Sequence, residues 1–253
     1  MYPHTGELPL DPAQFPMLEG VLELVYNPRR TALAFRAAEL GIPCGEGLAM
    51  LVAQAKAAEE LFFDRAIEDA ENERILKLLR QSTQNIVLIG MPGSGKSTIG
   101  QLLAKQLGMA FADTDALVEA VHGPIPGIFS AQGEVVFRHY EQQAAEKSAG
   151  MMRTVIATGG GIVHTEAAMK ALRESGIVVY VDRPLAQLLK DTKTEGRPLL
   201  ASGRDALTGL YEKRHTLYKA FADITVANTA GAQTCVSNIL KNLEAYKNED
   251  TRA

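Results

Sequence analysis

The sequence predicts an α/β protein built around a parallel β-sheet, with a smaller and mostly helical part at its N-terminus. Three observations lead to this fold class. From Asn85 onward, short and continuous apolar runs recur, which is typical of strands buried on both faces of a parallel sheet. Helical patterns separate these runs, and such alternation places a ligand site at the carboxyl ends of the strands. Before Asn85, helical patterns dominate and only one short strand is expected.

Length, composition and charge exclude several other classes of protein. The 253 residues allow one large domain or two small ones, and 46% hydrophobic with 22% charged residues is ordinary for a globular chain. The net charge of −4 provides no basic field for nucleic acid. No apolar run approaches the ~18 residues of a membrane span, and the first residues do not form a secretory signal. Cys44 and Cys235 are too few for a disulfide framework, so we expect a cytoplasmic protein.

The N-terminal part divides into three predicted elements. A strand is expected at 21–26, where Asn27-Pro28 ends it, and an alanine-rich helix at 32–40. A long helix-forming tract follows at 48–79, interrupted only by weak helix formers at 69–72. We therefore predict two domains, at 1–83 and 84–253.

The second part alternates strands and helices. The apolar runs predicted as strands lie at 86–89, 154–157, 177–181 and 224–226. The helical patterns lie at 97–107, 116–121, 135–149, 166–175, 206–222 and 234–246. A further strand is expected to end at Asp113, after the first of these helices.

A glycine-rich loop directly follows the first strand of this part. Residues 90–97 match the pattern GxxxxGK[ST], with a buried strand before the loop and a helix after it. Glycines let the backbone N–H groups turn inward around phosphates, and the helix N-terminus adds a partial positive charge. Lys96 is expected to reach the β- and γ-phosphates, and the Ser97 hydroxyl to bind Mg²⁺. The loop predicts an ATP or GTP site.

Two carboxylates and a glycine triplet are candidates for the rest of the site. Asp113 and Asp115 lie two residues apart, so on an extended segment they point the same way, one toward Mg²⁺ and the other toward a substrate hydroxyl. Alternatively, either aspartate simply caps the helix at 116–121. The strand at 154–157 leads into Gly159-Gly160-Gly161, whose backbone N–H groups suit a polar substrate.

The ordered set of motifs resembles the signature of the shikimate kinase family. The matching residues are Gly93-Ser94-Gly95-Lys96-Ser97-Thr98, Asp113-Thr114-Asp115, Ile128-Phe129, Gly133-Glu134, Phe137-Arg138, Glu141, Gly159-Gly160-Gly161, Arg197-Pro198-Leu199-Leu200 and Arg214 with Leu217-Tyr218. The resemblance covers about residues 85–246. It implies a P-loop NTPase fold like that of nucleoside monophosphate kinases: three α/β/α layers with a parallel sheet, a substrate-binding lobe near 115–146, and a mobile lid.

The resemblance also implies a reaction and a role for each matching residue. The reaction is transfer of the γ-phosphate of ATP to the 3-hydroxyl of shikimate, a step toward chorismate and the aromatic amino acids, with Mg²⁺ as cofactor. The catalytic residues would be Lys96, Asp115 and Arg197, and the metal would be held by Ser97 and Asp113. The nucleotide would bind to Gly93, Ser94, Gly95, Lys96, Ser97, Thr98, Lys190 and Arg197. Shikimate would bind to Asp115, Arg138, Gly159, Gly160, Gly161 and Arg214.

Physical chemistry is consistent with these roles, and two departures from the family pattern stand out. Guanidinium groups match a carboxylate in geometry, which suits Arg138 and Arg214, and a lid carrying Arg197 would exclude water from the phosphates. Lys190 stands where some relatives have a second lid arginine, so a point charge replaces a fork and the nucleotide is expected to be held less tightly. Residues 122–127 are richer in Pro and Gly than is usual, which would stiffen or displace the substrate lobe.

The N-terminal part resembles the C-terminal segment of shikimate dehydrogenases over about residues 1–65. The matching residues are Met1-Tyr2-Pro3, Val25-Tyr26-Asn27-Pro28, Thr31, Gly47-Leu48, Met50-Leu51-Val52 and Gln54. The resemblance implies a truncated dehydrogenase–kinase fusion. No GxGxxG loop precedes residue 85, so we predict no dehydrogenase activity. Such a remnant cannot bury its apolar face alone, and packing on the kinase or self-association would cover it.

Two other functions remain open on the sequence alone. One is a P-loop kinase for another small polyol such as gluconate, which the pair Arg138 and Arg214 argues against. The other is a module that binds shikimate and nucleotide without turnover, which Lys96, Asp115 and Arg197 argue against. His122, His139, His164 and His215 lack metal-ligand spacing and are interpreted as surface or structural residues.

Overall fold

The computed structural model describes residues 8–26, 31–45, 47–191 and 204–250. The chain divides into two compact units: Met1–Gln84 with Gly150–Met152, and Asn85–Ala149 with Arg153–Ala253. They are called unit 1 and unit 2 below. Within the described ranges, no helix has both the length and the apolar character needed to cross a membrane.

The described residues of unit 1 form two very short parallel strands and three helices. Its elements are a 3₁₀ turn Pro12–Gln14, β1 Val21–Leu22, α1 Ala32–Glu39, β2 Cys44–Gly45, α2 Gly47–Phe63 and α3 Asp69–Thr83. Val21 pairs with Cys44 and Leu22 with Gly45, and α1 provides the crossover between the two parallel strands. The expected strand at 21–26 is therefore shorter than predicted, and β2 was not predicted.

The helical tract at 48–79 breaks earlier than its sequence suggests. The break lies between α2 and α3, where Asp64 has a φ of 45° that no right-handed helix accommodates. Asp69 and Glu71 do not interrupt a helix; they lie in the first turn of α3, where acidic side chains are stabilised by the helix dipole. The expected interruption at 69–72 was wrong because residues that weaken a helix interior are favourable at its start.

Unit 2 is built on a five-stranded parallel sheet. The strands are β3 Asn85–Ile89, β4 Ala110–Asp113, β5 Thr154–Ala157, β6 Gly176–Asp182 and β7 Ile224–Ala227, in the spatial order β4-β5-β3-β6-β7. All residues of β3 and β5 are buried, as expected for central strands covered on both faces. The carboxyl ends of β4, β5 and β3 therefore lie side by side, because Asp113 and Leu88 both pair with Ala157.

Helices cover both faces of this sheet. They are α4 Lys96–Leu107, α5 Thr114–His122, α6 Ile125–Ala149, α7 Glu166–Ser175, α8 Leu185–Asp191, α9 Arg204–Phe221 and α10 Ala232–Asp250, with a 3₁₀ turn at Ile162–His164. Side chains of α4 and α10 form one core cluster with alternate residues of β3, β6 and β7. Helices α7 and α9 pack against β6. The predicted three-layer α/β/α fold with a parallel sheet is confirmed.

The element predictions for unit 2 differ from the structure at one main place. Helix α6 is interrupted at Gly133, whose φ of 80° and ψ of 175° are not helical, and the part after this glycine agrees with the helix predicted at 135–149. The helical part from Ile125 to this glycine was not predicted. It contains Pro126, and a proline is compatible with the first turn of a helix because the N–H groups there have no helical acceptor. Helix α8 was not assigned bounds from the sequence.

Candidate active site

The site is a cavity of about 420 Å³ at the carboxyl ends of β3, β4 and β5. This edge of a parallel sheet is where α/β proteins bind their ligands. The cavity is lined by Pro92, Gly93, Gly95, Lys96, Ser97, Thr98, Asp113, Asp115, Glu119, Ile125, Phe129, Phe137, Arg138, Glu141, Thr158, Gly159, Gly160, Gly161 and Arg214. It therefore brings together the glycine-rich loop, the aspartate pair, the glycine triplet and two arginines.

The loop between β3 and α4 has the conformation that phosphate binding requires. Gly95 precedes α4 with a φ of 95°, in the left-handed region that only glycine adopts readily, so the chain can turn directly into the helix. The Lys96 ammonium is buried and donates hydrogen bonds to the carbonyl oxygens of Gly90, at 2.8 Å, and Met91, at 3.0 Å. The N-terminus of α4 and the Lys96 charge thus both lie at the cavity.

Two side chains from distant parts of unit 2 hold this loop from behind. Asn228, which follows β7, donates from Nδ2 to the carbonyl of Ser94 at 2.9 Å. Arg183, which follows β6, donates from Nη1 to the carbonyl of Gly93 at 2.9 Å. These two contacts fix the positions of both loop carbonyls, and the Ser94 N–H is bonded within the loop to the Met91 carbonyl at 3.1 Å. Sequence analysis did not identify either residue, because each contact joins positions far apart in the chain.

Asp113 caps helix α5 with one carboxylate oxygen and binds the Ser97 hydroxyl with the other. Its Oδ1 accepts the backbone N–H of Asp115 at 3.0 Å, so it is the N-cap of α5. Its Oδ2 accepts the Ser97 hydroxyl at 2.6 Å. The cap fixes the carboxylate, and its second oxygen lies beside the hydroxyl that follows the loop lysine.

Asp115 lies in the first turn of α5 and lines the cavity with an unusual protonation tendency. Burial, reinforced by the negative charges of Asp113 and Glu141, raises the pKa of Asp115 from 3.8 to about 6, while the Lys96 charge opposes the rise. Its buried Oδ1 has no hydrogen-bond partner among the residues that the structure describes. A carboxyl group of this kind can accept a proton near neutral pH.

The glycine triplet gives the two carboxylates room. A Cβ added at Gly159 would lie 2.5 Å from Asp115 Oδ1 and 2.5 Å from Glu141 Oε1. At Gly161 it would lie 2.0 Å from Arg138 Nη1. The Gly159 N–H is itself bonded to the Thr114 hydroxyl at 3.0 Å, so it is not free to bind a ligand directly. The triplet therefore provides space as well as polar backbone.

Two arginines face the cavity, and each is fixed by its own partners. Arg138 donates to Glu141 Oε2 and to Glu134 Oε1, both at 2.7 Å. Arg214 is 3% exposed and donates from Nη1 to the carbonyl of Gly160 at 3.0 Å. Glu141 is almost fully buried, and burial raises the pKa of its carboxyl group although Arg138 and Arg214 oppose that shift. Two guanidinium groups thus line this end of the cavity, and Glu134 and Glu141 are paired with one of them, Arg138.

The structure brings most of the predicted site residues together. Those that line the cavity are Gly93, Gly95, Lys96, Ser97, Thr98, Asp113, Asp115, Arg138, Gly159, Gly160, Gly161 and Arg214. Ser94 belongs to the loop but is fully buried and does not line the cavity. Lys190 is exposed on α8 and does not line the cavity either. Arg197 lies outside the described residues.

Comparison with known proteins gives consistent results over unit 2. A family profile described as shikimate kinase matches residues 92–244. The chain is 36% identical over 156 residues to a shikimate kinase of Clostridium botulinum, covering 62% of this chain and 94% of that protein. It is 43% identical over 165 residues to a shikimate kinase of Synechococcus sp., covering 63% and 84%.

Solved structures resemble the same part of the chain. A shikimate kinase from Acinetobacter baumannii, solved in complex with shikimate, aligns with a TM-score of 0.62 at 33% identity, covering 67% of this chain and 97% of that one. A shikimate kinase from Aquifex aeolicus aligns with a TM-score of 0.58 at 36% identity, covering 64% and 96%.

Proposed function

This chain belongs to the shikimate kinase family, and from that premise we propose that it transfers the γ-phosphate of ATP to the 3-hydroxyl of shikimate. One observation carries the proposal: the phosphate-binding loop, Asp115 and the two arginines all line one cavity. Phosphoryl transfer needs mainly positioning and charge stabilisation, and the groups that line this cavity can provide both.

Shikimate, a small triol carrying a carboxylate, would bind between the arginines and Asp115. Arg138 and Arg214 are the cations for its carboxylate, because guanidinium groups donate two parallel hydrogen bonds to such a group. Gly159, Gly160 and Gly161 would shape the wall against the ring, since any side chain at Gly159 would meet the two carboxylates. This arrangement would direct a hydroxyl toward Asp115 and the loop.

Asp115 is the residue that we propose to orient the 3-hydroxyl and accept its proton. Its Oδ1 is buried without a partner among the described residues, which suits an atom that waits for a substrate hydroxyl. Lys96 would exchange its bonds to the Gly90 and Met91 carbonyls for phosphate oxygens of ATP, and its charge would stabilise the transferring group.

The loop residues would bind the nucleotide, and two of their neighbours fit a magnesium ion. Gly93, Ser94, Gly95 and Thr98 belong to the loop and the start of α4, where N–H groups attract phosphates. The Ser97 hydroxyl and Asp113 Oδ2 are hard oxygen donors 2.6 Å apart, and Mg²⁺ is bound by few such ligands together with substrate phosphates. The bound ion would neutralise phosphate charge during transfer.

Lys190 and Arg197 complete the proposed nucleotide site as residues of a lid. Lys190 lies near the end of α8, directly before the stretch that contains Arg197. An arginine there would add charge stabilisation to the γ-phosphate and help to exclude water. Lys190 offers only a point charge in this role, so it would hold the nucleotide less firmly than an arginine.

The proposal is tested by ADP release with ATP, Mg²⁺ and shikimate, beside gluconate and no-acceptor controls. We expect turnover with shikimate that exceeds both controls by at least about 100-fold. Preference for gluconate would identify a kinase for another polyol. Tight binding of shikimate and ATP without ADP release would identify a binding module, and either result would overturn the proposal.

For the N-terminal part, we propose a domain at 1–83 that resembles a C-terminal segment of shikimate dehydrogenases and has no dehydrogenase activity, followed by a kinase domain at 84–253. The parallel pair β1 and β2 has only two residues per strand, far short of a dinucleotide-binding sheet. Leu61, Phe62 and Phe63 at the end of α2 are 69–86% exposed, which supports self-association through this part.

We further propose a cytoplasmic location, since only two distant cysteines are present.

A further inference from the structure

Arg214 has a second hydrogen bond, to a side chain that the reaction itself does not need. Its Nε donates to Nε2 of His164 at 3.1 Å, while its Nη1 donates to the Gly160 carbonyl at 3.0 Å. His164 is the last residue of the 3₁₀ turn that follows the glycine triplet, and Arg214 lies on α9. The two acceptors thus belong to the two ends of one short segment, residues 160–164, and both bind the same guanidinium group.

We propose that His164 is a positioning residue, whose unprotonated Nε2 fixes the Arg214 guanidinium in the orientation that receives the carboxylate of shikimate. This inference rests on the proposed function. It goes beyond it, because no motif that identifies the site contains His164.

The geometry explains why a second acceptor matters. A guanidinium group bound only through Nη1 can still rotate about that bond, whereas bonds at both Nη1 and Nε fix the plane of the fork. Recognition of a carboxylate by two parallel hydrogen bonds depends on that plane. Because Arg214 is buried, its Nε–H needs an acceptor, and an unpaired donor there would be costly.

The bond requires one protonation state of His164. The Arg214 Nε–H is always a donor, so Nε2 of the imidazole must be the acceptor and the proton must be on Nδ1. Partial burial and the nearby charges of Arg214, Arg138 and Lys213 lower the pKa of His164 below its usual 6.5, and Glu134 opposes them. His164 is exposed to solvent, so its imidazole exchanges protons readily. In acid, Nε2 becomes a donor and the bond to Arg214 is lost.

The test varies shikimate and ATP separately in the wild type, His164→Leu and His164→Gln. Leucine removes the acceptor and fills the space, so the KM for shikimate is expected to rise about 3- to 10-fold while kcat and the KM for ATP change less than about twofold. Glutamine restores an acceptor oxygen and is expected to recover most of the affinity. His139→Leu is the matched control, because His139 is an exposed histidine of α6 bonded only to its helix neighbour Gln143 within the described residues.

The pH dependence separates positioning from a merely structural role. In the wild type, the KM for shikimate should rise as the pH falls through the lowered pKa of His164, which lies below 6.5, since the imidazole then becomes charged. In His164→Gln this rise should disappear. Because both proteins contain Asp115, the ratio of their KM values for shikimate cancels the effect of its ionisation. Equal KM values for shikimate in the wild type and His164→Leu, with both folded, would overturn the proposal.

A measurement without turnover distinguishes failure of this proposal from failure of the proposed function. Nitrogen-15 chemical shifts of the His164 ring at pH 8 should report a proton on Nδ1 in the wild type. In Arg214→Lys the same shifts should indicate a mixture of tautomers. A proton on Nε2 in the wild type would overturn the inference even if shikimate is a substrate. If shikimate is not a substrate, the proposed function fails, and the carboxylate-positioning role fails with it whatever the tautomer.

Discussion

Asp115 must be ionised to accept a proton, yet its surroundings favour the neutral form. Burial, Asp113 and Glu141 raise its pKa from 3.8 to about 6. Because this folded-state pKa lies above the unfolded value, stability is greatest in acid and is lost as the pH rises through about 4 to 6. At pH 7 the folded protein therefore holds an ionised carboxylate at a cost of on the order of 1–3 kcal/mol. In the function that we propose, that cost maintains a base for the substrate hydroxyl.

Asp115→Asn should separate activity from stability. The amide cannot accept a proton, so kcat is expected to fall by about 10²- to 10⁴-fold. The same change removes an unfavourable charge, so the melting temperature at pH 7 should rise by about 2–8 °C. In the wild type, kcat/KM should fall below about pH 6. Steady-state kinetics and thermal unfolding measure these three effects.

Glu244→Gln is the matched control, because Glu244 is an exposed carboxylate on α10. It should leave both activity and melting temperature unchanged. If Asp115→Asn kept its kcat, Asp115 would not be the base. If its melting temperature at pH 7 fell, ionised Asp115 would not be the strained group that its surroundings suggest.

The sequence could predict residues that line the cavity but not the residues that fix them in place. Lys96, Ser97 and Asp115 belong to local patterns whose chemistry is visible from residue type and spacing. Asn228 and Arg183 support the loop across 134 and 90 residues of chain, and His164 reaches Arg214 across 50. No local pattern encodes such contacts, because they depend on which strands become neighbours in the sheet.

At the scale of elements, the phosphate-binding loop is a turn whose shape depends on side chains outside it. Two side chains from outside the loop engage its carbonyls, Arg183 that of Gly93 and Asn228 that of Ser94, and Lys96 of the loop itself engages those of Gly90 and Met91. Asn228 is 7% exposed, and its backbone N–H is bound to the Asp182 carbonyl at 2.7 Å. The residue is therefore fixed through its backbone as well as through its side chain. The end of β7 thus stabilises the loop that follows β3.

Asn228→Asp should weaken nucleotide binding while preserving the size and shape of the side chain. The substitution replaces an amide donor with a carboxylate that faces the Ser94 carbonyl, and a buried pair of acceptors repels. We expect the KM for ATP to rise about 10-fold, with a smaller change in the KM for shikimate. Titration of each substrate separately measures the difference.

The same chemical change on the surface provides the comparison. Asn238→Asp places an aspartate on an exposed position of α10, and both KM values should remain as in the wild type. Equal effects of Asn228→Asp on both substrates would indicate general damage to unit 2. An unchanged KM for ATP would show that the loop keeps its shape without this contact.

Periodicity predicts the interior of elements better than their ends. The bounds of β5 and α7 agree with prediction because Gly159 and Gly176 interrupt both patterns sharply. The part of α6 before Gly133 was not predicted and the break after α2 was predicted at the wrong place, because Pro126 and Asp69 have opposite effects inside a helix and in its first turn. Such positions are decided by hydrogen bonding at helix ends, which composition alone does not reveal.

At the scale of the molecule, the cavity and the proposed catalytic residues belong to one unit. Every residue that lines the cavity lies between Pro92 and Arg214, and all belong to unit 2. The relatives match this chain over about the same stretch, and it covers 94% of the Clostridium botulinum protein. The resemblance of unit 1 to a dehydrogenase segment stays a prediction.

A chain of residues 84–253 should therefore retain kinase activity. Because unit 2 has its own sheet and core, kcat and both KM values are expected to lie within about threefold of those of the full chain. The full chain should self-associate through its exposed N-terminal apolar residues, and the shortened chain should be monomeric by sedimentation. Neither should reduce NADP⁺ in the presence of shikimate. A folded but inactive shortened chain would show that residues 1–83 contribute to catalysis, and NADPH formation by the full chain would refute our account of that part.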